Sequence, residues 1–177
     1  MLTDFDTPRI EALLAALCER AQGEWLLIGG ALVALWLSPR RTTGDIDLIG
    51  LKGTAEERHL LLQLTSDLGL PIESVNSAAD FFVHRIAGWR DQLAPYRQGT
   101  KGTVYRPTPT LFLLLKIGRL SEQDLDDCRK LIERAHRDSL PIDSARVRAA
   151  LAALPPALDP ALADRRALLL GALPADP

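Results

Sequence analysis

Apolar residues recur at helical spacing through the N-terminal segment, with Ile10, Leu13, Leu14, Leu17 and Cys18 on one face. Thr7 is placed to cap this helix, Pro8 suits its first turn, and Gly23 ends it. The pattern then changes. Trp25-Leu26-Leu27-Ile28 is a continuous apolar run that stops at Gly29-Gly30, which predicts a buried strand. Ala31 to Leu37 predicts a short helix started by the glycine pair and closed by Ser38-Pro39. Beyond the polar connection Arg40-Arg41-Thr42-Thr43-Gly44, the run Asp45-Ile46-Asp47-Leu48-Ile49 alternates polar and apolar at period two, as a strand does.

Residues 54–68 form the next amphipathic segment, with Thr54 and Glu57 in capping-box spacing and Gly69 at its close. A short strand is expected within 70–76 and a helical stretch within 78–86. After Gly88-Trp89 the periodicity weakens, and the next strand expected is Thr103-Val104-Tyr105, stopped by Pro107 and Pro109. From there every element reads as a helix: Thr110 to Leu120, one from Ser121 with Leu125, Cys128, Leu131, Ile132 and Ala135 on one face, then Ala145 to Leu154 and Pro160 to Leu170. The order predicts an α/β (α+β) fold, a small mixed sheet flanked by helices and followed by a helical C-terminal part. The domain expectation is a first domain over 1–137 and a helical extension over 138–177 packed on it.

Composition narrows the function classes. Hydrophobic residues make up 47% and charged residues 25% of the 177 positions, the balance of an ordinary globular protein. A formal net charge of −2 gives no bulk electrostatic footprint for nucleic acid. Cys18 and Cys128 lack metal-ligand spacing and fall at apolar helix positions, which suits small core residues in a reducing compartment. No apolar run reaches the ~20 residues needed to span a bilayer. The N-terminus has no basic, apolar leader, so the expected location is cytoplasmic, with no membrane partner. Dinucleotide, P-loop and serine-hydrolase motifs are absent, and His59, His84 and His136 are scattered.

The chemistry concentrates in residues 25–50. A strand that delivers Gly29 and Gly30 to a helix start lets backbone approach a phosphate closely, and the first N–H groups of that helix favour an anion. A purely structural turn is the alternative. Asp45 and Asp47 sit two apart on a strand, so both carboxylates leave one face with Cα atoms roughly 6.5 Å apart. Such a pair suits Mg²⁺, which takes one or two protein carboxylates together with substrate phosphates. The competing reading is two solvated aspartates pairing with Arg40 or Arg41.

Taken together, the apolar strand, Gly29-Gly30, short helix and Asp45-x-Asp47 resemble the signature of the nucleotidyltransferase superfamily that includes DNA polymerase β. Fourteen residues separate Gly30 from Asp45. Arg40-Arg41-Thr42-Thr43 ahead of the aspartates is similar to the approach in abortive-infection-type nucleotidyltransferase toxins and their bacterial relatives. The resemblance runs from about Trp25 to Ile132, with residues 28–47 its specific part. It implies that Asp45 and Asp47 are metal ligands for Mg²⁺ and that a nucleoside triphosphate is the substrate. Gly29 and Gly30 would face its phosphates, with Arg40, Arg41 and Thr43 beside them.

The same resemblance implies a third carboxylate on the strand after helix 54–68. Glu73 is the acid in that stretch and Asp80 follows it; relatives often carry Asn-Asp where this chain has Asn76-Ser77. Lys116 interrupts an otherwise apolar helix, and Asp124 and Asp127 share one face of the next. Relatives show a similar lysine, which implies a role at the triphosphate; an interhelical salt bridge is the other reading. Two functions follow as expectations. One is nucleotidyl transfer to RNA, a protein or a small molecule, with Asp45, Asp47, Glu73 and Lys116 as catalytic residues. The other is a catalytically degenerate domain of the same fold that binds a nucleotide or a partner protein, as a toxin–antitoxin component would.

Overall fold

The computed structural model of the chain describes residues 4–76 and 80–175. Contacts divide it into two compact units, one ending at Pro107 and the other beginning at Thr108. The division falls ahead of the boundary expected after residue 137.

In the first unit, β1 (Gly23–Ile28) buries Trp25, Leu26, Leu27 and Ile28 in succession. Successive strand side chains point to opposite faces, so four buried in a row require cover on both. β1 accordingly lies at the centre of a mixed sheet with β2 (Ile46–Gly50), β3 (Val75–Asn76), β4 (Leu93–Gln98) and β5 (Gly102–Pro107), in the order β3-β2-β1-β5-β4. Its neighbours run in opposite senses. β2 is antiparallel to it, with Ile28 opposite Asp47, whereas β5 is parallel to it. β3 runs parallel to β2, and Asn76 stands in register with Asp47. This is the expected α/β arrangement of a mixed sheet with helices.

The helices α1 (Thr7–Arg20), α2 (Gly29–Trp36), α3 (Ala55–Asp67) and α4 (Asp80–His84) belong to the same unit. α1 buries the anticipated stripe Ile10, Leu13, Leu14, Leu17 and Cys18. Its cap, however, is Asp6 rather than Thr7: the Asp6 carboxylate accepts from the Arg9 N–H at 3.0 Å. Thr7 is the first helical residue and donates through its hydroxyl to the Pro39 carbonyl at 3.1 Å. α3 carries the full capping box between Thr54 and Glu57. The expected helix over 78–86 survives as the shorter α4, and residues 78 and 79 of that expectation lie outside the described residues.

β4 had no counterpart in the sequence pattern. It is an edge strand paired antiparallel to β5, with a register shift between Pro95 and Arg97 and half-exposed residues along most of its length. An edge strand with a proline and a bulge shows no clean period of two.

The second unit is helical, with α5 (Pro109–Lys116), α6 (Glu122–Arg137), α7 (Ser144–Ala152) and α8 (Pro160–Ala172). Thr108 caps α5, and α5 packs on α6 and α7 while α8 packs on α6. The Thr110 hydroxyl accepts from the Asp143 N–H at 2.9 Å, fixing α5 to the start of α7. Among the described residues no helix is long and apolar enough to cross a membrane.

Candidate functional site

Gly29, Gly30, Arg41, Thr43, Asp45 and Asp47 come together at one end of β1 and β2. The antiparallel register places Asp47 beside the point where β1 passes into α2. Gly29 has φ +68°, a conformation that L side chains rarely adopt. A Cβ at Gly29 would also lie 2.0 Å from Asp47 Oδ2. Only glycine meets both conditions.

Gly30 makes the second close approach. A Cβ there would stand 2.5 Å from Thr43 Oγ1 and 3.2 Å from Thr43 Cβ, with Arg41 Nη2 at 4.0 Å. The glycine pair thus admits the chain's own side chains, Asp47 over Gly29 and Thr43 over Gly30. Thr43 in turn touches the other aspartate. Its hydroxyl lies 3.0 Å from the Asp45 carbonyl oxygen and 3.2 Å from Asp45 Oδ1, and shares its one proton between them.

The connection that carries Thr43 is tethered at two points. Phe5 and Thr43 exchange backbone hydrogen bonds of 2.8 and 3.1 Å, and Phe5 itself is fully buried. The Thr7–Pro39 bond holds the other side of the loop. A buried aromatic anchor near the N-terminus therefore fixes the approach to the aspartates, which no local motif in 40–47 discloses.

Asp45 is exposed just ahead of β2, Asp47 is half-buried within it, and Ile46 and Leu48 are buried between and beyond them. The alternation read from the sequence is thus realised, although the strand proper begins at Ile46. Arg40 is exposed, and Arg41 is half-buried. Arg41 and Asp47 are each engaged by other groups.

Two carboxylates fit one hard cation completed by phosphate oxygens. Among the described residues there is no group of three or more His, Cys, Asp or Glu placed to hold a metal. Glu73 is exposed in a short 3-10 turn, Ile72–Ser74, ahead of β3. β3 itself contributes Val75 and Asn76, neither of them an acid.

Lys116, in the second unit, ends α5 with its side chain 15% exposed. Its ammonium lies 2.7 Å from Asp124 Oδ1 and 3.3 Å from Asp127 Oδ2, both carboxylates being buried. Arg119 adds a two-pronged contact to Asp124, 2.8 Å from Nε and 3.0 Å from Nη2. The Ser121 N–H and hydroxyl donate to the same carboxylate, completing a capping box for α6. Burial pushes the Asp124 carboxyl up, but the hydrogen bonds from Arg119, Lys116 and Ser121 outweigh it and hold the group well below the usual carboxylate range. Beside this network, burial pushes the Cys128 thiol up to about 12.

Of the residues singled out from sequence, then, the glycines, Arg41, Thr43 and the two aspartates share one site. Glu73 is exposed in the turn ahead of β3, and Lys116 belongs to an ion-pair network in the other unit. Comparison with known proteins adds no relative: no protein-family model, no curated protein and no solved structure matches the chain.

Proposed function

We propose that the first unit binds a magnesium–nucleoside triphosphate at Asp45 and Asp47 and transfers its nucleotidyl group to a hydroxyl on RNA, a protein or a small molecule. The observation that carries this reading is the gathering of Gly29, Gly30, Thr43, Asp45 and Asp47 at one end of two adjoining strands. Asp45 and Asp47 would hold the ion, which when bound neutralises phosphate charge and activates the attacking oxygen. Thr43 orients Asp45 through its hydroxyl, and the wall of Gly29 fixes Asp47. α2 starts without a side-chain cap, so its first N–H groups remain to favour phosphate oxygens. Arg41, close to Gly30, adds positive charge at the same place.

One observation favours a second reading, a domain that binds the nucleotide or a partner protein without turnover. Two-ion transfer chemistry uses a further carboxylate, and β3 offers Val75 and Asn76 where the neighbouring strand would supply it.

Thermal unfolding with each of the four nucleoside triphosphates, with and without Mg²⁺, tests the site. A ligand at about 100 times its dissociation constant stabilises by roughly 2.7 kcal/mol. The expected outcome is a Mg²⁺-dependent shift that disappears in Asp45→Asn with Asp47→Asn while the unliganded melting curve stays cooperative. A shift that survives the double substitution would refute the aspartate site. Pyrophosphate release then separates transfer from binding alone.

A further inference from the structure

The opposite end of the same sheet carries a separate cleft of about 690 Å³. It lies at the first residue of β1 and beyond the last residue of β2, roughly 17 Å along the strand from the aspartates. Arg20 from the end of α1, Lys52 from the loop after β2 and Lys101 from the turn between β4 and β5 line it from three sides.

Among the described residues these cations stand out by having no partner. Within the first unit Arg9, Arg58, Arg90, Arg97 and Arg106 hydrogen bond to carbonyls or carboxylates, Arg85 lies over the Phe81 ring, and Arg41 is engaged elsewhere. Among the described residues, Arg20, Arg40, Lys52 and Lys101 are the cationic side chains of this unit without a hydrogen bond, ion pair or ring contact. All but Arg40 line the one cleft.

The acids in the cleft do not cancel them. Glu57 is buried, and its two oxygens accept from the Lys52 and Thr54 N–H groups at 3.3 Å, holding the loop and the helix cap. Glu56 is left as the acid open to solvent, against three cations. The rest of the lining is polar, with Gln22, Thr54 and Thr100, and Leu60 is its one large apolar side chain. A polar, cationic cleft of this volume is within the range for small ligands but lacks the apolar wall that an uncharged organic molecule needs. A compact ligand with several negative charges fits it.

We propose that this cleft binds a polyphosphate group, without a divalent metal, through Arg20, Lys52 and Lys101. The group is either that of a free polyphosphate or nucleotide, or successive phosphates of a nucleic-acid strand. The site is independent of the aspartates and stands whether or not nucleotidyl transfer occurs.

Calorimetric titration of the full chain with inorganic tripolyphosphate, in chelator and at low salt, tests it. The expected result is saturable binding that weakens with added salt and falls roughly tenfold in Lys52→Gln with Lys101→Gln. Glu56→Gln is expected to tighten it, and Asp45→Asn with Asp47→Asn to leave it unchanged. Parallel titrations with a nucleoside triphosphate and a short single-stranded oligonucleotide assign the source. Lysine-dependent binding tightest for the oligonucleotide identifies strand phosphates, and otherwise a free polyphosphate is the ligand. Absence of saturable binding, or binding indifferent to the lysine substitutions in a variant that melts like the parent, overturns the proposal.

Discussion

Gly29 compresses the site into one residue. Its positive φ and its contact with Asp47 Oδ2 are separate demands, one disfavouring any L side chain and the other requiring the Asp47 carboxylate to shift if a Cβ is added. Gly29→Ala should therefore destabilise the chain by about 2–4 kcal/mol, combining the ~1–2 kcal/mol cost of a left-handed alanine with the strain of an overpacked contact. Urea unfolding measures this. In an Asp47→Ser background the steric part should be recovered and the backbone part retained; an alanine that costs nothing in either background would show that the close approach is not made. The glycine pair was legible in the sequence as a special turn. Its reason was not, because the residues that need the space, Thr43 and Asp47, arrive from elsewhere in the chain.

At the scale of elements, legibility tracked how local the determining interactions are. The α3 cap is set by residues three apart, so Thr54 and Glu57 could be read directly, and the box forms as expected. Thr54→Ala should cost ~1 kcal/mol of stability, seen as a lowered urea midpoint at unchanged slope. Loss of much less would mean that Lys52 and the Glu57 carboxylate hold the helix start without the hydroxyl. By contrast, the cap of α1 is Asp6 and not the adjoining Thr7, since both are competent and the Thr7 hydroxyl is drawn away by the Pro39 carbonyl. β4 was invisible because pairing with β5 makes it a strand, while Pro95 and the bulge erase its alternation.

At the scale of the whole molecule, the acid side of the stability curve reports the network around Asp124. Its folded carboxyl titrates below the unfolded value of about 3.9, so its contribution is complete above about pH 4 and is lost as pH falls towards the folded value. Denaturant unfolding over an acid pH series should show stability declining below pH ~4, with a shallower decline in Asp124→Asn; identical slopes would remove Asp124 as a source of acid sensitivity. The sequence by itself determined the helical stripes, the buried strand after the first helix, the aspartate alternation and hence the α/β class, because periodicity and turn residues are properties of contiguous chain. Only the tertiary structure decided where the compact units divide, that Thr43 and Asp47 close over the glycines, and that Arg20, Lys52 and Lys101 share a cleft. Each of these depends on the meeting of segments distant in sequence, and a side chain's neighbours across such a gap are fixed by packing, not by pattern.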